Sequence, residues 1–187
     1  MFTERRATMA DLPALGALMD AAIDQLLGAY LSPEQTEASH QVMGLDTQLI
    51  EDGTYFVVEV DGQTAGCGGW SRRATLYGSD HTAGRDAALL DPVRNPARVR
   101  AMYTHPDFAR RGVGRRILEL CQRDATAAGF RRLELMATLA GRPLYSAFGF
   151  EPIEELVDTS TGTEIPLVRM GMSITAPEHA GSARAGS

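Results

Sequence analysis

Met102-Tyr-Thr-His-Pro-Asp-Phe-Ala-Arg-Arg-Gly-Val-Gly-Arg-Arg-Ile117 joins a strand to a helix through a loop of glycine and arginine. Upstream, Val99 to Thr104 has the composition of a strand. Downstream, Gly112 to Ala128 is predicted as a helix, with Ile117, Leu118, Cys121 and Ala125 as its buried stripe and Gly129 as its stop. A helix opened in this way offers unpaired backbone N–H groups and the positive end of its dipole, worth roughly half an elementary charge. Glycines let a bulky phosphate approach the main chain, so the stretch is a ready anion site. Arg110, Arg111, Arg115 and Arg116 can each add charge-assisted contacts of about 1.5–3 kcal/mol where desolvated. A dinucleotide fingerprint fails, because its third glycine would stand at Ile117, and the Gly-Lys-Ser/Thr of a P-loop is absent. An exposed basic helix start with no ligand stays open on these residues alone.

Outward from this stretch, the chain alternates strand and helix signals. Phe2 to Thr8 is predicted as a short edge strand, and Leu12, Leu15, Met19, Ala22, Ile23, Leu26 and Tyr30 repeat at the spacing of one amphipathic helix. Ser32, Pro33 and Glu34 start a second helix that runs towards Met43, with a short helical turn near Asp46 to Ile50. Thr54 to Val60 is a strand, and Asp61 with Gly62 is a hairpin turn of the kind that needs positive φ. The return strand, Gln63 to Ser71, carries Gly66, Gly68 and Gly69, which point to a bulge or a close backbone approach. Arg72 to Ala97 is polar and longer than ordinary loops. Leu133 to Ala137 is a strand, Arg142 to Phe148 a short helix, and Glu151 to Val157 and Pro166 to Ile174 two more strands. Residues from Thr175 onward are expected to form a disordered tail behind a single domain of residues 1–174. The order β-α-α-β-β-β-α-β-α-β-β predicts an α+β fold, an α/β-type mixed sheet with helices on both faces.

The bulk numbers agree with one soluble domain: 187 residues, 44% hydrophobic and 22% charged, are enough for a core and too apolar for a disordered chain. A net charge of −6 argues against nucleic acid or an acidic membrane as the main partner. Cys67 and Cys121 can neither staple a chain of this length nor form a metal site, which suggests a reduced, cytoplasmic protein. No run approaches the roughly 18 apolar residues of a membrane span.

The central stretch resembles the acetyl-CoA signature of the GNAT superfamily, Arg/Gln-x-x-Gly-x-Gly/Ala after a strand ending in Val-x-Pro. Arg111-Gly112-Val113-Gly114-Arg115 matches in order, and Thr104-His105-Pro106 stands at the Val-x-Pro. Arg116 departs from the usual small residue. Some thirty residues on, Leu144-Tyr145-Ser146-Ala147-Phe148-Gly149-Phe150 resembles the family's Leu-Tyr-x-x-x-Gly-Phe element, and Thr138 stands where an asparagine is frequent. The resemblance spans most of residues 2 to 174. It implies a central, mostly antiparallel sheet whose strands near 99–104 and 133–137 splay apart.

It also implies an N-acetyltransferase using acetyl-CoA as co-substrate, without a metal. Pantetheine would lie against the main chain of Met102, Tyr103 and Thr104, and the pyrophosphate on N–H groups of Arg111 to Arg116, with Arg110 and Thr138 close by. A backbone N–H near Met102 or Tyr103 would polarise the acetyl carbonyl. Tyr145 stands at the family's general-acid position and would protonate the leaving sulfur, or serve only as a packed residue. The acceptor is a small-molecule or peptide amine. No base is evident; Glu51, Glu59 and His105 are the nominal candidates, and His105 beside proline is better read as structural. Tyr30 and Trp70 are nominal pocket-wall residues, Trp70 being better read as core, and the Arg72 to Ala97 segment is a wall or lid on the acceptor side or, equally, a surface loop or a dimer contact. A binding module without turnover, a longer acyl-CoA and a hydroxyl acceptor are the alternatives. Dimers are common in the family.

Overall fold

The protein's structure, a computed structural model, describes residues 1–174, so the tail expected from Thr175 lies outside the described residues. Seven strands, β1 (Phe2–Arg6), β2 (Tyr55–Val60), β3 (Gln63–Ser71), β4 (Ala97–Thr104), β5 (Arg132–Thr138), β6 (Glu151–Asp158) and β7 (Ile165–Ser173), form one sheet. Their order is β1-β2-β3-β4-β5-β7-β6. Every neighbouring pair is antiparallel except β4 with β5. The turn between β2 and β3 uses positive φ at Asp61 and Gly62, as its sequence requires.

Side-chain alternation sends each strand's residues into two layers. On one face Phe56, Val58 and Val99 pack with Ile117, Leu118 and Cys121 of α4 (Val113–Ala127). On the other, Tyr55, Val57 and Cys67 pack with Leu15, Leu18 and Met19 of α1 (Leu12–Ala22). The sheet is therefore covered on both faces, in a mixed α+β architecture. Helix α2 (Pro33–Val42) starts on a reciprocal cap, in which Ser32 Oγ accepts from the Gln35 N–H at 3.2 Å and the Gln35 side chain accepts from the Ser32 N–H at 3.0 Å. Its Ala38 and Val42 meet Ile165 and Leu167 of β7. Two short helices, α3 (Thr47–Glu51) and α5 (Arg142–Phe148), complete the set.

The first helix is not the single α-helix that its apolar spacing predicts. It passes at Ile23–Leu27 into a π-helical turn, closed by the Gly28 N–H on the Ile23 carbonyl at 3.1 Å. A β-carbon on Gly28 would stand 2.3 Å from the Asp24 carbonyl oxygen, so the turn depends on glycine there. Tyr30 falls beyond it and is exposed.

Two irregularities shape the centre of the sheet. Cys67 pairs with Tyr103 but Gly69 pairs with Arg100, so β4 carries one extra residue opposite Gly68, with Ala101 at φ +49°. The Tyr55 hydroxyl donates to the Ala101 carbonyl at 2.7 Å and fixes this bulge. A side chain on Gly68 would press within 2.7 Å of both Met102 and Ile117, so the close approach anticipated for these glycines is present. The parallel pairing of β4 with β5 is confined to Ala97 with Leu133 and Arg98 with Glu134. Beyond that pair the strands part, as the resemblance implied, and β5 is held instead by β7 from Arg132 to Thr138.

Candidate active site

The loop before α4 is built to leave donors open. Pro106–Phe108 forms a single helical turn, over which His105 Nδ1 accepts from the Asp107 N–H at 3.2 Å. The chain then turns through Arg110 at φ +63° and Gly112 at φ +87°. The first bond of the helix runs from the Arg116 N–H to the Gly112 carbonyl at 3.0 Å, leaving the N–H groups of Val113, Gly114 and Arg115 without a helical acceptor. Arg111 lies over the Phe108 ring at 5.2 Å, and Arg115 over Phe148 at 5.8 Å while also bonding Glu119 at 3.2 Å. Arg116 points elsewhere: its guanidinium is tied to Glu4 of β1 and to Glu119. Gly114 lies against α5, where an added β-carbon would meet Leu144 at 2.6 Å. These residues fit a pyrophosphate, with free amides, room at the main chain and cations around the rim.

The parting of β4 and β5 opens into two adjoining cavities. The one nearer the loop, about 170 Å³, is bordered by Ile23, Leu26 and Leu27 of the π-helical turn, by Thr104, and by Gly141 and Leu144. The other, about 100 Å³, is bordered by Val42, Leu76, Tyr77, Arg100, Met136 and Leu167. Met43, Met102, Tyr103, Thr138 and Tyr145 border both, so they mark the junction. Tyr145 is packed edge-on against Phe150, and its hydroxyl has no hydrogen-bond partner among the described residues. Burial pushes the Tyr145 hydroxyl well above the usual tyrosine range, so it stays protonated at neutral pH. The Tyr103 hydroxyl, raised by burial as well, accepts from the Gly44 N–H at 2.9 Å. Thr138 Oγ1 accepts from the Gly141 N–H at 3.2 Å, which fixes the turn into α5.

Other residues singled out from sequence stand apart from this junction. Trp70 is core: 1% exposed, edge-on to Phe130, with its indole N–H on Asp124 at 2.8 Å. Tyr30 borders neither cavity. Glu59 pairs with Arg5 at 3.0 Å, and Glu51 borders a separate polar depression with Arg73, Arg85 and Arg100. His105 has the structural part its neighbour proline suggested. Sequence reasoning missed Met43, Tyr77, Arg100, Met136 and the leucines of the π-helical turn. Arg100 is 5% exposed, lies 2.8 Å from Asp46 and donates to the Gly78 carbonyl at 2.7 Å. Burial lowers its pKa, against the pull of Asp46. Its sequence signal was slight, since with Arg98 it is one of two charged residues in β4.

An open mixed sheet with splayed central strands, an amide-lined helix start and a buried tyrosine at the gap is an arrangement of the acyltransferase fold class. Residues 51–152 match the family model described as the acetyltransferase (GNAT) domain, and the chain belongs to that family. No curated protein matches the sequence significantly. Among solved structures, a GCN5-related N-acetyltransferase from Rhodopseudomonas palustris has 19% identity and a TM-score of 0.68, with 91% of this chain and 94% of that one covered. The PaiA N-acetyltransferase of Thermoplasma acidophilum, solved with coenzyme A, has 13% identity and a TM-score of 0.61 over 92% and 99%. The ribosomal-protein-S18-alanine N-acetyltransferase of Escherichia coli has 18% identity and a TM-score of 0.58 over 98% and 100%. At these identities the likeness is one of fold. Among the described residues no helix is long and apolar enough to cross a membrane, and no three His, Cys, Asp or Glu residues cluster as metal ligands.

Proposed function

We propose that this protein transfers the acetyl group of acetyl-CoA to a primary amine by direct attack. The meeting of two cavities at Met102, Tyr103, Thr138 and Tyr145, beside the open amides of α4, carries the proposal. The thioester supplies an electrophilic carbonyl and a thiolate leaving group. Main-chain N–H groups from Arg111 to Arg115 hold the pyrophosphate, with Arg110, Arg111 and Arg115 adding charge. Arg116 braces the helix start through Glu4 and Glu119 rather than through phosphate. The edge of β4 left unpaired at Met102, Tyr103 and Thr104 receives the pantetheine amides. The bulge at Ala101 turns a backbone N–H of Met102 or Tyr103 towards the acetyl oxygen.

The amine nitrogen forms its bond to the acetyl carbon as the C–S bond breaks, Tyr145 gives its proton to the departing sulfur, and the proton shed by the new amide nitrogen restores the Tyr145 hydroxyl, directly or through water. A tyrosine that stays protonated well above neutral pH suits that task. The Arg72 to Ala97 segment supplies part of the acceptor wall through Leu76, Tyr77 and Gly78. It is anchored by Tyr77 Oη donating to Asp158 at 2.8 Å and by Arg100 on Gly78.

Calorimetric titration with acetyl-CoA, beside an Arg111→Glu, Gly114→Glu double variant, tests the proposal. Saturable binding lost in the variant supports it. No binding by the unaltered protein overturns it.

A further inference from the structure

We infer that the acceptor is a small, weakly basic amine with an apolar body and no second positive charge; this rests on the acetyltransferase proposal above. The wall of the acceptor-side cavity carries the inference. Val42, Met43, Leu76, Met102, Met136 and Leu167 make it apolar. Among the described residues its one ionic side chain is Arg100, a cation, and no aspartate or glutamate borders either cavity.

The carboxylates nearest in the fold are already engaged. Asp46 stands between Arg100 and Arg85, at 2.8 and 2.6 Å. Asp158 accepts from the Tyr77 hydroxyl at 2.8 Å and from the Ser160 hydroxyl at 2.6 Å. Glu134, one strand position from the cavity, lies between Arg98 and Arg169. A second ammonium on the acceptor would lose its water and meet an arginine with no free carboxylate opposite. Diamines, polyamines and lysine-like acceptors are selected against on that ground.

The missing base points the same way from separate chemistry. Among the described residues no histidine, aspartate or glutamate borders the junction, so no such side chain there takes a proton from an ammonium before attack. At about pH 7.5 an α-amine of pKa near 8 is roughly one-quarter neutral, whereas an alkylamine near 10.4 is neutral in roughly one molecule per thousand. An amine next to a carbonyl therefore arrives ready to attack. The cavity's size, about 100 Å³, and its cover of Leu76, Tyr77 and Gly78 suit a side chain of leucine size rather than an extended chain.

Leucinamide and lysinamide test this directly, since both present a carbonyl-adjacent amine and differ in one distal charge. With acetyl-CoA and the full chain, kcat/KM for leucinamide is expected to exceed that for lysinamide at least ~100-fold. Met136→Glu places a carboxylate on the cavity wall and should narrow this ratio at least ~10-fold, with acetyl-CoA Kd unchanged; Leu76→Glu, in the segment after β3 and on the acceptor side alone, is the second variant if the first fails to fold. Lysinamide used as well as leucinamide overturns the inference, as does turnover of neither when acetyl-CoA binds. Absence of acetyl-CoA binding overturns the acetyltransferase proposal itself and is read separately by calorimetry.

Discussion

The two cavities that meet at Tyr145 are built in opposite ways. The cofactor side is mostly main chain: open amides at the start of α4, the unpaired edge of β4 and two residues at positive φ. The acceptor side is mostly side chain, drawn from α2, the segment after β3, β4, β5 and β7. Recognition by backbone tolerates change in side-chain identity so long as the turn keeps its shape. Recognition by side chains changes with each substitution. The contrast predicts one half that is rigid in chemistry and another that is open to retuning.

The hardest blow to the cofactor side is the Arg111→Glu, Gly114→Glu pair. It puts two negative charges at the phosphate position and forces a side chain into Leu144, 2.6 Å from where its β-carbon would stand. Acetyl-CoA affinity should fall by more than about 10³-fold, read by calorimetry, with the circular dichroism spectrum retained. Tyr145→Phe acts at the junction instead. It should lower kcat by about 10²-fold in single-turnover experiments and leave acetyl-CoA Kd within about twofold.

Smaller effects sharpen the division. Tyr77→Phe removes the bond to Asp158 and should raise the acceptor KM several-fold, roughly the worth of one such hydrogen bond, with the acetyl-CoA KM held. Arg116→Ala should change acetyl-CoA Kd by less than about threefold, since its guanidinium is committed to Glu4 and Glu119. A large loss there would break the contrast, because it would make a side chain essential to the cofactor side.

The pH profile separates the halves without mutation. Burial raises the Tyr145 pKa, so the protonated, donating form persists through the ordinary tyrosine range near 10 and is lost only above its raised value. Rates should therefore climb with pH as the amine loses its proton, with no falling limb below about pH 10. A descent near pH 8 would assign the acid to another group.

How far the chain could be read in advance follows the same division. The proposed cofactor side is contiguous: residues 102–117 contain the strand, the loop and the helix start, so local rules for glycine and helix termini showed an anion site, and the family resemblance gave it a ligand. Tyr145 was singled out through the resemblance of its own contiguous element, Leu144 to Phe150, and stands at the junction of the two cavities. The acceptor side was not legible. Met43 and Met136 are ordinary apolar residues in sequence and become neighbours only when α2 and β5 are brought to the same gap. Trp70, for which the core was the favoured reading, is core, with its indole N–H on Asp124. Apolar spacing from Leu12 to Tyr30 showed a helix but not its π-helical turn, because that depends on the one missing β-carbon at Gly28.

That turn has a bearing on how the chain tolerates changes in length. A π-helical turn holds one residue more than the α-helix around it. Deleting a single residue between Ile23 and Leu27 would let the segment close as a continuous α-helix. The lost residue and the lost bulge would offset one another, so positions after the turn would keep their faces while the side chains within it, Leu26 among them, would be set anew along the cavity they border. A shortened chain of this kind would keep its sheet and its phosphate loop while redrawing the ceiling over the junction, so one codon would suffice to reshape that wall.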